Sequence, residues 1–232
     1  MTQSPSNPKA EAKPERARRT QEERSKAMRK RLLDAAIDCL RTEGYAGTTV
    51  SRIIERAKVS RGAPVHHFPS KAALIAAAAR RLAQRIYLQL GRALLNIPAS
   101  DDRLHDLIDL SWREAFNQPE HIALNELLRA SQHDPELAEI MQELWTASYR
   151  TLVGAAEHYL EPLREGEDVG QYMVLTQWLL RGMAQDTHLV ENPALYDHFL
   201  RTWTRMLSLH LKAKPGIMTP PPKPKIWEPP AQ

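Results

Sequence analysis

Ser60, Arg61, Gly62 and Ala63 stand at the head of a short segment, with His66, His67 and Lys71 close behind. These residue types suit contact with a nucleic-acid duplex. Arg61 can donate two parallel hydrogen bonds to guanine O6 and N7, worth about 1–3 kcal/mol of discrimination between bases. Gly62 has no side chain, so its backbone can come close to a groove. Ala63 has the size to touch a thymine methyl. Around them lie phosphate binders: Thr49 and Arg52 ahead, His66 and His67 behind, then Lys71. Phosphate contacts set the position on a duplex and base contacts set the sequence.

Three helices must hold these groups. Thr20-Gln21-Glu22-Glu23 is a capping box that opens the first, with Leu33, Ile37 and Leu40 as its apolar stripe. Gly44 is placed to stop it. Thr48 is expected to cap a second helix through about Ala57, turned by Lys58-Val59. Ser60 is expected to cap a third through about Phe68, and Ser70 a fourth toward Leu95. A helix as short as the third forms no core of its own, but it fits a major groove with its first residues facing the base edges.

The order and spacing from Thr48 to Lys71 resemble the helix-turn-helix of the TetR family of bacterial transcription regulators. The resemblance implies that Thr49, Arg61, Ala63, His67 and Lys71 lie at DNA, and that Ile53, Ala57, Val59 and Phe68 are core. Three positions depart from the family pattern. Lys58 stands where Gly is usual in a turn that favours positive φ, at a cost of about 1–2 kcal/mol for a non-Gly residue. Val65 replaces a Tyr that commonly donates to a phosphate. Pro64 replaces a Leu in the first turn of the third helix, where a missing N–H costs least.

Charge is distributed to match. Residues 1–90 carry 19 Lys and Arg against 8 Asp and Glu, and residues 91–232 carry 13 against 20. A basic end on an acidic remainder points to a polyanionic partner at the basic end. With a polar N-terminus no signal peptide is expected, and no apolar run is long enough to span a bilayer. The single Cys39 allows no internal disulfide and fits a reducing cytoplasm. His66-His67 opens an HHxxxD acyltransferase motif, but Lys71 stands where that motif needs Asp. No metal partners lie near it, no cofactor is implied, and the chain holds no catalytic triad, paired catalytic carboxylates or phosphate loop. The reading is a binding protein rather than an enzyme.

The remainder repeats acid or amide caps with Pro in the first turn, at Ser100-Asp101-Asp102, Gln118-Pro119, Asp134-Pro135, Glu167-Asp168 and Asn192-Pro193. The expected fold is all-α with about nine helices: a disordered, basic, Pro-containing tail over 1–19, a helix-turn-helix domain over 20–85, a helical bundle over 86–212 and a Pro-rich flexible tail over 213–232. Arg16, Arg18 and Arg19 can form an arm toward a minor groove or phosphates, or be part of a solvated tail. The family resemblance implies that the bundle binds a small effector and dimerises through its last two helices. Its aromatic residues Trp112, Phe116, Trp145, Tyr149 and Trp178 are candidate walls for a largely apolar ligand. The last helix is apolar on two faces, so it needs two partners. Tyr172, Leu179, Met183, Leu195, Phe199, Trp203 and Met206 are the candidate seam. The expected whole is a homodimeric regulator, more often repressor than activator, that binds a near-palindromic double-stranded operator and no membrane. The alternatives are an architectural DNA-binding protein without a ligand, and a helical enzyme or accessory protein with an incidental helix-turn-helix.

Overall fold

The computed structural model describes residues 21–94, 100, 102–217 and 219–222. The cap at Thr20, the arm at Arg16, Arg18 and Arg19 and the tail beyond 222 lie outside the described residues. Helices α1 (Gln21–Gly47), α2 (Val50–Ala57), α3 (Ala63–His67) and α4 (Lys71–Leu94) come first. Helix α5 (Arg103–Ser111) runs into a π-helical stretch, Trp112–Phe116. Then follow α6 (Pro119–Ala130), α7 (Pro135–Tyr159), α8 (Val169–Asp186) and α9 (Pro193–Leu207).

The later helices start where their caps put them. Pro occupies the first turn of α6, α7 and α9, where its missing N–H has no intrahelical partner to lose. Asp134 Oδ1 accepts from the Leu137 N–H at 3.1 Å, and Asp168 Oδ1 from that of Gly170 at 2.7 Å. Two starts in the first four helices fall later than the sequence implies. Thr49, not Thr48, caps α2, its hydroxyl accepting from the Arg52 N–H at 3.2 Å. Thr48 is buried and donates back to the Gly44 carbonyl at 2.7 Å. Ser60 caps nothing: its carbonyl closes a turn onto the Ala63 N–H at 3.0 Å, and α3 begins only at Ala63, with Pro64 in its first turn.

The all-α reading holds with one addition. Strands β1 (Leu160–Pro162) and β2 (Leu211–Ala213) pair antiparallel, Leu160 opposite Ala213. They are too short to show a period of two in sequence. Beyond them the chain does not leave the fold as a free tail. The Lys214 N–H donates to the Tyr159 carbonyl at 2.8 Å, His158 Nε2 meets the Thr219 carbonyl oxygen at 2.8 Å, and Ile217 packs on apolar neighbours. Pro content hid these anchors.

Two apolar cores result. The first joins Leu32, Ala36 and Leu40 of α1, Ile53 of α2, Phe68, and Leu74, Ile75, Ala78 and Leu82 of α4. It is completed by Ala123 and Leu127 of α6 and Leu137 and Met141 of α7, so it crosses the boundary expected at residue 85. Cys39 is buried in it, and that burial pushes its thiol pKa up. The second core joins Leu104, Ile108 and Trp112 to Tyr159, Met173, Leu180, Leu200, Leu207 and Leu211.

Candidate nucleic-acid interface and cavity

Helix α2 is anchored from behind by arginines. Arg31 Nη2 on α1 donates to the carbonyls of Ala57 at 2.7 Å and Lys58 at 3.0 Å, satisfying the end of α2. Arg56 on α2 reaches back to Thr42 Oγ1 at 2.9 Å and Glu43 Oε1 at 2.7 Å. Between them Lys58 adopts φ 53°, ψ 51°, the left-handed conformation foreseen for a Lys standing in a Gly position. The turn from α2 to α3 is thereby fixed from both sides.

On this frame Thr49, Arg52, Ser60, Arg61, Gly62, His66 and Lys71 are exposed and His67 is half-buried. Arg61 has no hydrogen-bond or ion-pair partner among the described residues, so its fork of donors is open. Arg52 is shared between Glu43 and Glu55, each at 3.5 Å, and must leave them to meet a phosphate. Lys71 Nζ sits 5.3 Å from the centre of the Tyr45 ring. Ala63 is a correction: only 7% exposed, it packs inward as the first residue of α3 and cannot reach a thymine methyl. The Val65 side chain lies outside those described.

Below the head lies a cavity of about 230 Å³. Its walls are Ile86, Tyr87 and Leu90 of α4, Leu107 and Ile108 of α5, and His121, Leu124 and Leu128 of α6. Leu144, Trp145 and Leu152 of α7, Thr176, Leu180 and Arg181 of α8, and Pro221 close it. Of the five aromatics singled out in sequence, Phe116 and Trp145 lie on the wall. The other three do not. Trp112 is 3% exposed but stacks on Tyr196 at 5.3 Å, in the second core. Tyr149 stacks on Trp145 at 5.4 Å from behind. Trp178 is 56% exposed, on a side of α8 that faces away from the cavity.

Sequence reasoning missed the cavity's polar groups. His121 is 3% exposed, and neither ring nitrogen has a hydrogen-bond partner among the described residues. Burial, then the charge of Arg181, pushes its pKa down to about 4, so the ring is neutral. The Nε of Arg181 is buried and also unpartnered. Burial lowers the guanidinium's pKa from its ordinary value. The available signal was periodic: His121 shares a helical face with Leu124 and Leu128, and Arg181 stands one turn beyond Gln177 on the same side of α8.

The sequence pattern of the bacterial regulatory proteins of the tetR family matches residues 32–78, from the middle of α1 into α4. CymR, an HTH-type transcriptional regulator of Pseudomonas putida, is 34% identical over 125 residues, 54% of this chain and 61% of CymR. KstR, an HTH-type transcriptional repressor of Mycolicibacterium smegmatis, is 28% identical over 136 residues, 59% of each chain. The chain thus spans about three fifths of the length of these curated relatives. A crystal structure of a transcriptional regulator from Rhodococcus sp. Rha1 shares the fold at a TM-score of 0.58 and 24% identity, over 78% of this chain and 97% of that one. That pattern is seated on the helices that carry Arg61 and Lys71, so residues 32–78 are similar to the DNA-binding region of the bacterial regulatory proteins of the tetR family.

Proposed function

We propose that this protein is a cytoplasmic transcription regulator that binds a near-palindromic operator as a homodimer and is released from it by a small effector. One observation carries the reading: three helices, α4, α6 and α7, serve both the DNA-reading head and the cavity. The first half of α4 gives Leu74, Ala78 and Leu82 to the head's core, and its second half gives Ile86, Tyr87 and Leu90 to the cavity wall. Helix α6 turns Ala123 and Leu127 to the head and His121, Leu124 and Leu128 to the cavity. A ligand that repacks the wall therefore acts on the elements that place Arg61. Coupling of two sites through one displaced element is the physical content of allostery. The sign is taken as repression, because the similar KstR is a transcriptional repressor. Its work is binding, not catalysis. Among the described residues no group of His, Cys, Asp or Glu is placed to hold a metal, and no helix is long and apolar enough to cross a membrane.

The test is selection of a duplex by the full-length protein, followed by fluorescence anisotropy. Arg61→Ala should relax base choice at one position in each half-site, losing about 1–3 kcal/mol of discrimination. Lys71→Ala should weaken all sequences alike and lower the salt slope by about one. If both variants bind like the parent, the reading head lies elsewhere.

A further inference from the structure

An unpaired guanidinium at an apolar wall is costly. Charges leave water only when paired, and a buried polar atom left without a partner forfeits its hydration. The cavity holds two such groups, the Nε of Arg181 on α8 and both ring nitrogens of His121 on α6. They are close enough for the Arg181 charge to act on the His121 ring. No carboxylate of the described residues pairs with either. The rest of the wall is Leu, Ile, Met, Ala and aromatic carbon, apart from a few hydroxyls and amides. A site with one permanent charge and one neutral ring suits a ligand of one negative charge, because the second charge of a phosphate ester has no counterpart.

We infer that the effector of this regulator is a monocarboxylate with a compact apolar body. Its carboxylate accepts from the fork of Arg181 and from one N–H of His121, and its body fills the space between α4, α6, α7 and α8. Arg matches a carboxylate with two parallel donors, which fixes orientation as well as charge. Size follows from volume. A cavity of about 150 Å³ takes benzene. On that scale 230 Å³ takes about nine or ten non-hydrogen atoms, the size of benzoate or octanoate. The inference rests on the effector-released reading above and names the chemistry of its ligand.

The test uses the full chain, titrated by calorimetry and by Trp fluorescence, since Trp145 lines the cavity. The probes are benzoate and octanoate, each against its amide, and a selected duplex reports DNA release. At least one acid should bind ten-fold or more tighter than its amide and should release the duplex. Arg181→Met should erase that preference, leave amide binding in place and keep or raise the melting temperature, because a half-buried charge with a buried, unpartnered Nε is gone. His121→Phe is the second variant and should weaken the acid more than the amide. If amide and acid bind and release DNA equally, the carboxylate inference falls while the effector reading stands. If an acid binds through Arg181 but leaves DNA affinity unchanged, the ligand class stands and the release mechanism falls. If neither acid binds, the inference is overturned.

Discussion

At the residue scale, two side chains hold conformations or environments that cost free energy. Lys58 is the one non-Gly residue with positive φ among the described residues, and its side chain is exposed. Lys58→Gly removes the left-handed penalty but gives the unfolded chain more freedom, so the net gain should be no more than about 1 kcal/mol. A higher melting midpoint checks it, and a lower one would mean that the Lys stem packs usefully. His121 makes a pH prediction. Its folded pKa of about 4 lies below the ordinary value of 6.5. Above pH 6.5 the ring is neutral folded or unfolded and contributes no pH dependence. As pH falls from 6.5 toward 4 the unfolded chain takes up a proton that the folded one refuses, and stability drops. The slope reaches about 1.4 kcal/mol per pH unit, with a total of about 3 kcal/mol. Urea melts from pH 7 to 5 should show that slope, and His121→Gln should flatten it. Lys58 was legible in sequence because a motif assigns its backbone conformation. His121 was not, since a His in a helix looks the same whether it faces water or a cavity.

At the element scale, α6 is held against the end of α1. Gly44 breaks α1 at φ 70°, ψ 179°, a region essentially closed to other residues. A Cβ there would come within 2.9 Å of Glu126 Oε2. That same oxygen accepts from the Tyr45 N–H at 3.0 Å, and the Tyr45 hydroxyl donates to Asp134 Oδ2 at 2.8 Å, at the start of α7. Burial, then the Asp134 bond, pushes the Tyr45 hydroxyl up to about 12, so it stays a donor at any working pH. Gly44→Ala should cost about 1–3 kcal/mol of stability from backbone strain, before any shift of Glu126. Tyr45→Phe is milder: DNA affinity without effector should hardly change, while the effector-induced loss of affinity should shrink by about 0.5–2 kcal/mol. Anisotropy with and without effector measures it, and an unchanged loss would remove Tyr45 from the coupling. Helix starts were legible here because Asp and Pro act locally. The double packing of α6 was not, since two opposed apolar faces in a short helix carry no label for which core each meets. The cap at Thr49 was missed because Thr48 and Thr49 are chemically identical and only burial separates them.

At the scale of the whole molecule, α8 and α9 keep large apolar side chains exposed outside the second core. Trp203 Nε1 on α9 donates to Thr176 Oγ1 on α8 at 3.0 Å, which ties the two helices together. Their inner residues, Leu180, Leu200 and Leu207, are buried. Their outer residues Leu175, Trp178, Phe199 and Met206 are not: Phe199 is 45% and Met206 54% exposed. Large apolar side chains exposed together on neighbouring helices mark an interaction surface. The last helix showed its two apolar faces in sequence, but Trp178 was assigned to the cavity because an aromatic residue does not reveal its side of a helix. A second copy is the occupant we expect, because a two-fold axis also brings two basic heads to two half-sites. In such an interface each residue occurs twice, so Phe199→Glu places two charges into one apolar seam. Sedimentation at micromolar concentration should show dimer for the parent and monomer for the variant. The variant's second core should survive, since Phe199 lies outside it, and its far-ultraviolet spectrum should match the parent's. Operator affinity should collapse toward that of a single head and lose about half of its salt slope, because the number of phosphates neutralised per binding event halves. A parent that sediments as monomer, or a variant that stays dimeric with full operator affinity, would put the seam elsewhere and end the proposal that effector binding acts through the spacing of two heads.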